Sequence, residues 1–262
     1  MNFINPTKPE LAEIVPDGTI LLGYRGSIAH GLYEDPGSEF STDDKDVMGV
    51  AIGPAEHYFG LLPFLGKRGV FERFVGPWDA VTYEIRKYVS LLCKANPNVM
   101  SLLWLEPNMY IRRTDIGTRL IESRRLFATR QIYHSFVGYA KAQIHRMEHN
   151  ACEGYMGEKR KTLVERFGFD SKNAAHAIRL LRMGIEFLYE GELHVMRHDR
   201  HDLLAIKHGE WPLARIKEEA DRLFRRAEEA YDRCQLPAEP DYIKVNSLLV
   251  DCIAGRHAAK VW

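Results

Sequence analysis

Two short stretches hold the residue types that phosphate chemistry needs. The first is Gly26-Ser27-Ile28-Ala29-His30-Gly31. The second is Asp43-Asp44-Lys45-Asp46, leading into Val47-Met48-Gly49-Val50. Side chains alternate along a strand, so Asp44 and Asp46 would share one face and Asp43 and Lys45 the other. Two carboxylates held side by side cannot both ionise cheaply without a cation. An oxygen-only pair suits a hard ion such as Mg²⁺, which keeps waters and accepts substrate phosphates as further ligands. A third carboxylate on a neighbouring strand would complete a two-metal site. Asp79, heading a β-prone run over 79–83, is the natural candidate, and Glu84 is the alternative. The glycine turn supplies the other half: Gly26 lets a ligand approach closely, and Ser27 with its backbone N–H groups would face a phosphate. A Gly-Ser turn alone is usually only a turn, and an Asp-x-Asp alone is usually a solvated pair. Their order along the chain points to a grip on a nucleoside triphosphate.

The elements that must position these groups can be read in outline. Residues 1–125 read as mixed α and β: a buried strand over 19–22, the glycine turn over 23–31 and an expected helix after it. A polar stretch over 34–41, a strand over 44–52 and the run over 79–83 follow. Ile85, Tyr88, Val89 and Leu92 then mark a helix face. Asn96 caps another helix with Pro97 at its first position, expected to carry Val99, Leu102, Leu103 and Leu105. From 126 to 262 the β signals vanish and helical periodicity takes over. One helix carries Ile132 to Met147, one starts near Asp170 or Ser171 and ends near Gly191, and one carries Ile216 to Tyr231. The expected fold class is α+β, with a mixed-sheet domain over 1–125 and a helical bundle over 126–262 that closes the cleft.

At 100° per residue, Lys172, His176 and Arg179 lie within about 60° of one another. Ala174, Ile178, Leu181, Ile185 and Leu188 take the opposite side. Periodicity leaves two meanings open for that strip, a solvated face or an anion contact.

These residues resemble a known family. Gly26-Ser27 followed by Asp44-Lys45-Asp46 is similar to the active-site motif of the DNA polymerase β-like nucleotidyltransferase superfamily. The wider pattern resembles its bacterial and phage RNA-repair-pathway branch. It comprises Tyr24-Arg25-Gly26-Ser27-x-Ala29-His30-Gly31, Asp44-x-Asp46-x-x-Gly49-Val50, Tyr83-x-x-Arg86-Lys87, Asn96-Pro97-Asn98, Lys172-x-x-x-His176-x-x-Arg179, Leu203-Leu204 and Gly209-Glu210-Trp211. The resemblance implies that Gly26 and Ser27 bind the triphosphate. It implies that Asp44 and Asp46 hold the metals, and that Asp79 is the third carboxylate, beside the attacking hydroxyl, helping to remove its proton. It implies two Mg²⁺ ions, with Mn²⁺ as a substitute, and turns the strip of Lys172, His176 and Arg179 toward the β- and γ-phosphates or an acceptor strand. His30 would touch the phosphates or cap the turn. Sixteen residues separate Ser27 from Asp44, more than the superfamily usually has, so the segment 34–39 must loop out; Asp43 stands where a serine is more usual.

Composition narrows the partners. The 36 basic and 36 acidic residues cancel, which excludes a wholesale polyanion binder. Residues 1–125 carry 14 basic and 16 acidic groups and residues 126–262 carry 22 and 20, so the basic excess lies in the helical half. The expected acceptor is therefore an RNA (tRNA-like) 3′ end, and the expected partner of the protein is an RNA ligase or another repair enzyme. A small-molecule hydroxyl (an aminoglycoside, for example) or a protein hydroxyl is the alternative, and an antitoxin-like or regulatory nucleotide-binding module is the non-enzymatic one. A metal-dependent phosphohydrolase would use His198-Asp199 and His201-Asp202, which crowd one segment and read as a loop. Lys141, His145 and His149 read as an ordinary helix surface. Cys93, Cys152, Cys234 and Cys252 are dispersed, without a CxxC pair, and read as core thiols in a reducing cytoplasm. No apolar run reaches the roughly 18 residues of a membrane helix, and the first ten residues do not read as a signal peptide.

Overall fold

The structure is a computed structural model that describes residues 5–34, 37–41, 44–149 and 158–258; Thr42, Asp43 and Cys152 lie outside them. The N-terminal half builds one five-stranded sheet. Helix α1 (Lys8–Ile14) leads to β1 (Thr19–Tyr24) and a single turn of helix, α2 (Gly26–Ala29). Then come β2 (Lys45–Ala51), the short α3 (Glu56–Phe59), β3 (Val70–Val75) and β4 (Trp78–Glu84). Helices α4 (Ile85–Cys93) and α5 (Pro97–Met100) precede β5 (Tyr110–Arg113) and α6 (Asp115–Glu122). The strand order is β3-β4-β2-β1-β5; β2 and β4 are parallel and the other pairings antiparallel. β1 is buried along its whole length, as its uninterrupted apolar run requires.

The C-terminal half is helical: α7 (Ile132–His149), α8 (Glu158–Phe167), α9 (Ser171–Glu190), α10 (Arg200–Lys207), α11 (Leu213–Arg233) and α12 (Tyr242–Ala258). Its centre is α9, packed against α7, α10 and α11. Asp170 caps α9 by accepting from Asn173 N, and Gly191 ends it in the left-handed region at φ 70°. Ala174, Ile178, Leu181, Ile185 and Leu188 are buried on one side, while Lys172 is exposed and His176 and Arg179 are half-buried.

Four sequence expectations change. The turn after β1 winds into one helical turn only. Asp44 stands one residue ahead of β2 rather than inside it. The helix after Asn96 stops at Met100 and tightens into a 3₁₀ turn over Ser101–Trp104, which the extended Leu105 ends. The loop expected over 197–202 is loop only to Asp199, since Arg200 opens α10. β3 and β5, the two edge strands, were not anticipated. The last helix, α12, returns to the N-terminal half and packs on α4 and α6.

Candidate active site

β2 and β4 run parallel with Asp46 directly beside Asp79. Paired residues of neighbouring strands point to the same face, so the two carboxylates meet at the ends of the strands next to the glycine turn. Glu84 lies at the far end of β4, beside Ala51. It is buried there, accepting from Lys87 N and pairing with Arg86 Nε at 3.2 Å, which makes it a helix cap rather than a third site carboxylate. The guanidinium of Arg25 bridges the two aspartates: Nη2 is 3.4 Å from Asp46 Oδ1 and 3.0 Å from Asp79 Oδ2. Burial pushes the Asp46 carboxyl up to about 6; Arg25 and Lys172 oppose that shift, and the neighbouring Asp79 reinforces it.

Gly26 holds this arrangement in place. Its φ is +61°, and a Cβ there would stand 2.3 Å from Asp46 Oδ2, so only glycine lets the carboxylate fold under the turn. Arg25 N donates to Asp46 O at 3.0 Å, pinning the turn to β2. The Ser27 side chain is half-buried beside them.

Across from the aspartates stands α9. A hollow of about 160 Å³ is lined by Arg25, Gly26, His30 and Asp46 from the sheet side, and by His176, Arg179 and Leu180 from α9. Pro97, Asn98 and Ser101 complete its wall. Asn98 and Ser101 were missed as site residues; the Asn96-Pro97 cap was legible, but that it faces the cleft depends on the sheet it packs against. Arg179 donates to His30 Nε2 at 2.6 Å and to Met183 Sδ at 3.4 Å, and burial pulls it down to about 9, with Arg197 adding to the effect. Both nitrogens of the His30 ring are engaged, Nδ1 lying 2.9 Å from Val195 O. Lys172 is exposed, and its charge reaches Asp46.

Of the expected site residues, Gly26, His30, Asp46, His176 and Arg179 line one hollow, and Asp79 adjoins it through Asp46 and Arg25. Asp44 precedes the strand, and among the described residues no three His, Cys, Asp or Glu side chains stand close enough to cage an ion. The donor set still fits a hard divalent cation. Two carboxylate groups lie side by side, a cation (here Arg25) already bridges them, and the glycine leaves the space a Cβ would fill. Two larger hollows, of about 370 and 360 Å³, lie around the start of β1 and share Arg112, but neither contains a carboxylate pair.

The run 197–202 makes an ion-pair network instead of a metal site. Arg197, fully buried, binds Glu186 at 2.5 Å and Asp199 at 2.8 Å, and Arg182 binds Asp199, Asp202 and Glu219. Lys141 lies 5.6 Å from the Phe224 ring and His145 is exposed on the α7 surface; the side chain of His149 is outside the described residues. Cys93, Cys234 and Cys252 are free thiols. Among the described residues no helix is long and apolar enough to cross a membrane.

The model of the RNA repair pathway DNA polymerase beta family matches residues 8–251 of the chain. Among solved structures, a nucleotidyltransferase-like protein from Exiguobacterium sibiricum 255-15 is similar at 12% identity, over 92% of this chain and 73% of that chain, with a TM-score of 0.28. No curated protein matches.

Proposed function

The chain belongs to the RNA repair pathway DNA polymerase beta family, and on that premise we propose that it transfers a nucleoside monophosphate from an NTP to a hydroxyl at an RNA 3′ end. The observation that carries this reading is Asp46 and Asp79 in register under the Gly26 turn, opposite a half-buried arginine. The hollow, about 160 Å³, is smaller than the roughly 300 Å³ of whole-ligand pockets. It would seat the phosphates, leaving the nucleoside outside it.

The acceptor oxygen forms a bond to the α-phosphorus while the bond from that phosphorus to the β-bridging oxygen breaks, and pyrophosphate leaves. Asp44 and Asp46, with Asp79 as the third carboxylate, would hold Mg²⁺. The ion supplies charge neutralisation on the triphosphate and lowers the pKa of a bound hydroxyl. Asp79 takes up the hydroxyl proton at its carboxylate. Arg179, His176 and Lys172 meet the negative charge of the departing phosphates from α9. Gly26 and Ser27 fix the triphosphate by close backbone and hydroxyl approach. Positioning and electrostatics do the work, and no covalent protein intermediate is required.

Arg25 favours a second reading, in which its guanidinium keeps the carboxylates permanently and the chain only binds nucleotide. One experiment separates the two. The protein is incubated with each α-labelled NTP, Mg²⁺ and cellular RNA, beside its Asp46→Asn and Asp79→Asn variants. Label is expected in RNA with the parent protein and to fall at least about a hundredfold in each variant, as for loss of a group that stabilises transition-state charge. Nucleotide binding without transfer by the parent would leave the binding module as the answer.

A further inference from the structure

We infer that His30 is a positioning residue that orients the Arg179 guanidinium for an anionic substrate while leaving its charge unspent; this rests on the phosphate-binding reading of the hollow. A carbonyl oxygen can only accept, so Nδ1, at 2.9 Å from Val195 O, must carry the ring proton. That leaves the Nε2 lone pair to accept from Arg179 Nη1 at 2.6 Å. His30 is 6% exposed, and burial, with Arg179 beside it, holds the ring well below the usual histidine range, so it stays neutral.

The backbone of His30 ties the same point to two further places. Its N–H closes the turn on Gly26 O at 3.2 Å, and its carbonyl accepts from Arg197 N at 3.3 Å. Arg197 is anchored in turn to Glu186 of α9. One residue therefore fixes the glycine turn, the loop at 195–197 and the arginine on α9 in a single geometry.

The chemistry of the acceptor matters. A carboxylate at position 30 would orient Arg179 equally well but neutralise it, and would compete with the incoming phosphate. A neutral imidazole orients without competing. Among the described residues no carboxylate hydrogen-bonds to Arg179, and its other partner is the sulfur of Met183. The Asp199 carboxylate acts on Arg179 only from beyond hydrogen-bond reach, and a counter-charge in direct contact is what a polyphosphate would bring.

Binding of inorganic tripolyphosphate to the full chain, measured by calorimetry with Mg²⁺ present, tests this with His30→Leu, His30→Gln, Arg179→Leu and the double Leu variant. His30→Leu is expected to weaken binding about tenfold, the scale of one hydrogen bond to a charged group. His30→Gln, which keeps an acceptor and a donor, should recover most of the loss. In the Arg179→Leu background, His30→Leu should cost nothing further, because its effect passes through the arginine. Equal losses in both backgrounds would overturn the inference alone, as would parental binding by a folded His30→Leu. Parental binding by Arg179→Leu would overturn the phosphate reading and the inference together. Nitrogen NMR of the parent needs no variant: a neutral ring protonated at Nδ1 at neutral pH is expected, and a charged ring or an Nε2-protonated one contradicts the proposal.

Discussion

At Gly26 two demands meet: a left-handed backbone and a carboxylate packed where a Cβ would be. Gly26→Ala should cost about 1–2 kcal/mol in backbone strain alone and also push Asp46 away from Asp79. Gly66→Ala is the control, since its φ is +68° but nothing lies within 4 Å of the added methyl. Thermal unfolding should fall in both variants, while Mn²⁺ binding should weaken only in Gly26→Ala; equal Mn²⁺ affinity would show that the glycine serves the turn and not the carboxylate pair. Asp46 gives a pH test. Its carboxyl is raised from 3.8 to about 6 in the folded protein. The folded state therefore binds the proton more tightly than the unfolded one, and this contribution to stability falls as pH climbs through that window and then levels off. Without metal, the gain in Tm of Asp46→Asn over the parent should be larger above pH 6 than near pH 4; a gain independent of pH would contradict the burial of a charged pair here.

Between elements, the register of β2 against β4 decides which carboxylates meet, and only part of it was legible. Alternation and the buried run of β1 marked the central strands, and Asp170, Gly191 and Asn96-Pro97 marked helix ends, because caps are local signals. Edge strands carry weaker ones. In β3, Glu72, Arg73 and Phe74 are all exposed, so no alternation shows, and β5 is four residues that among the described residues pair only with β1, with 85 residues of chain between Tyr24 and Tyr110. The choice between Asp79 and Glu84 was open for the same reason: both are acidic residues of one strand, and only the pairing partner distinguishes them. The mixed run at 197–202 hid a buried arginine, since the Glu186 partner of Arg197 comes from α9, as does Arg182, which binds Asp199 and Asp202 of the run and Glu219 of α11. Arg197→Leu leaves Glu186 and Asp199 without their buried partner and should cost about 3–5 kcal/mol in urea unfolding. Arg125→Ala, removing a pair whose arginine is 81% exposed, should cost less than about 1 kcal/mol. Comparable losses would mean the buried network carries no special weight.

Over the whole molecule, a continuous apolar core joins the two halves. Polar ties cross between them as well. Glu192 accepts from Trp104 Nε1 at 3.0 Å and pairs with Arg124 and Arg125, and Glu34 pairs with Lys207 and His208. Urea unfolding should therefore be one transition, coincident by tryptophan fluorescence and circular dichroism; two separated transitions would mean the halves at 1–125 and 126–262 fold independently. Ties of this kind between the sheet and the helices are what positioning chemistry needs. The most direct measurement follows both ends of the triphosphate at once, with NTP labelled at the α- and γ-phosphorus, Mg²⁺ and an RNA with a free 3′ hydroxyl. The α-label should enter the RNA while the γ-label leaves as pyrophosphate in equal amount. Release of the γ-label as inorganic phosphate, with the α-label left in a nucleoside diphosphate, would contradict nucleotide transfer.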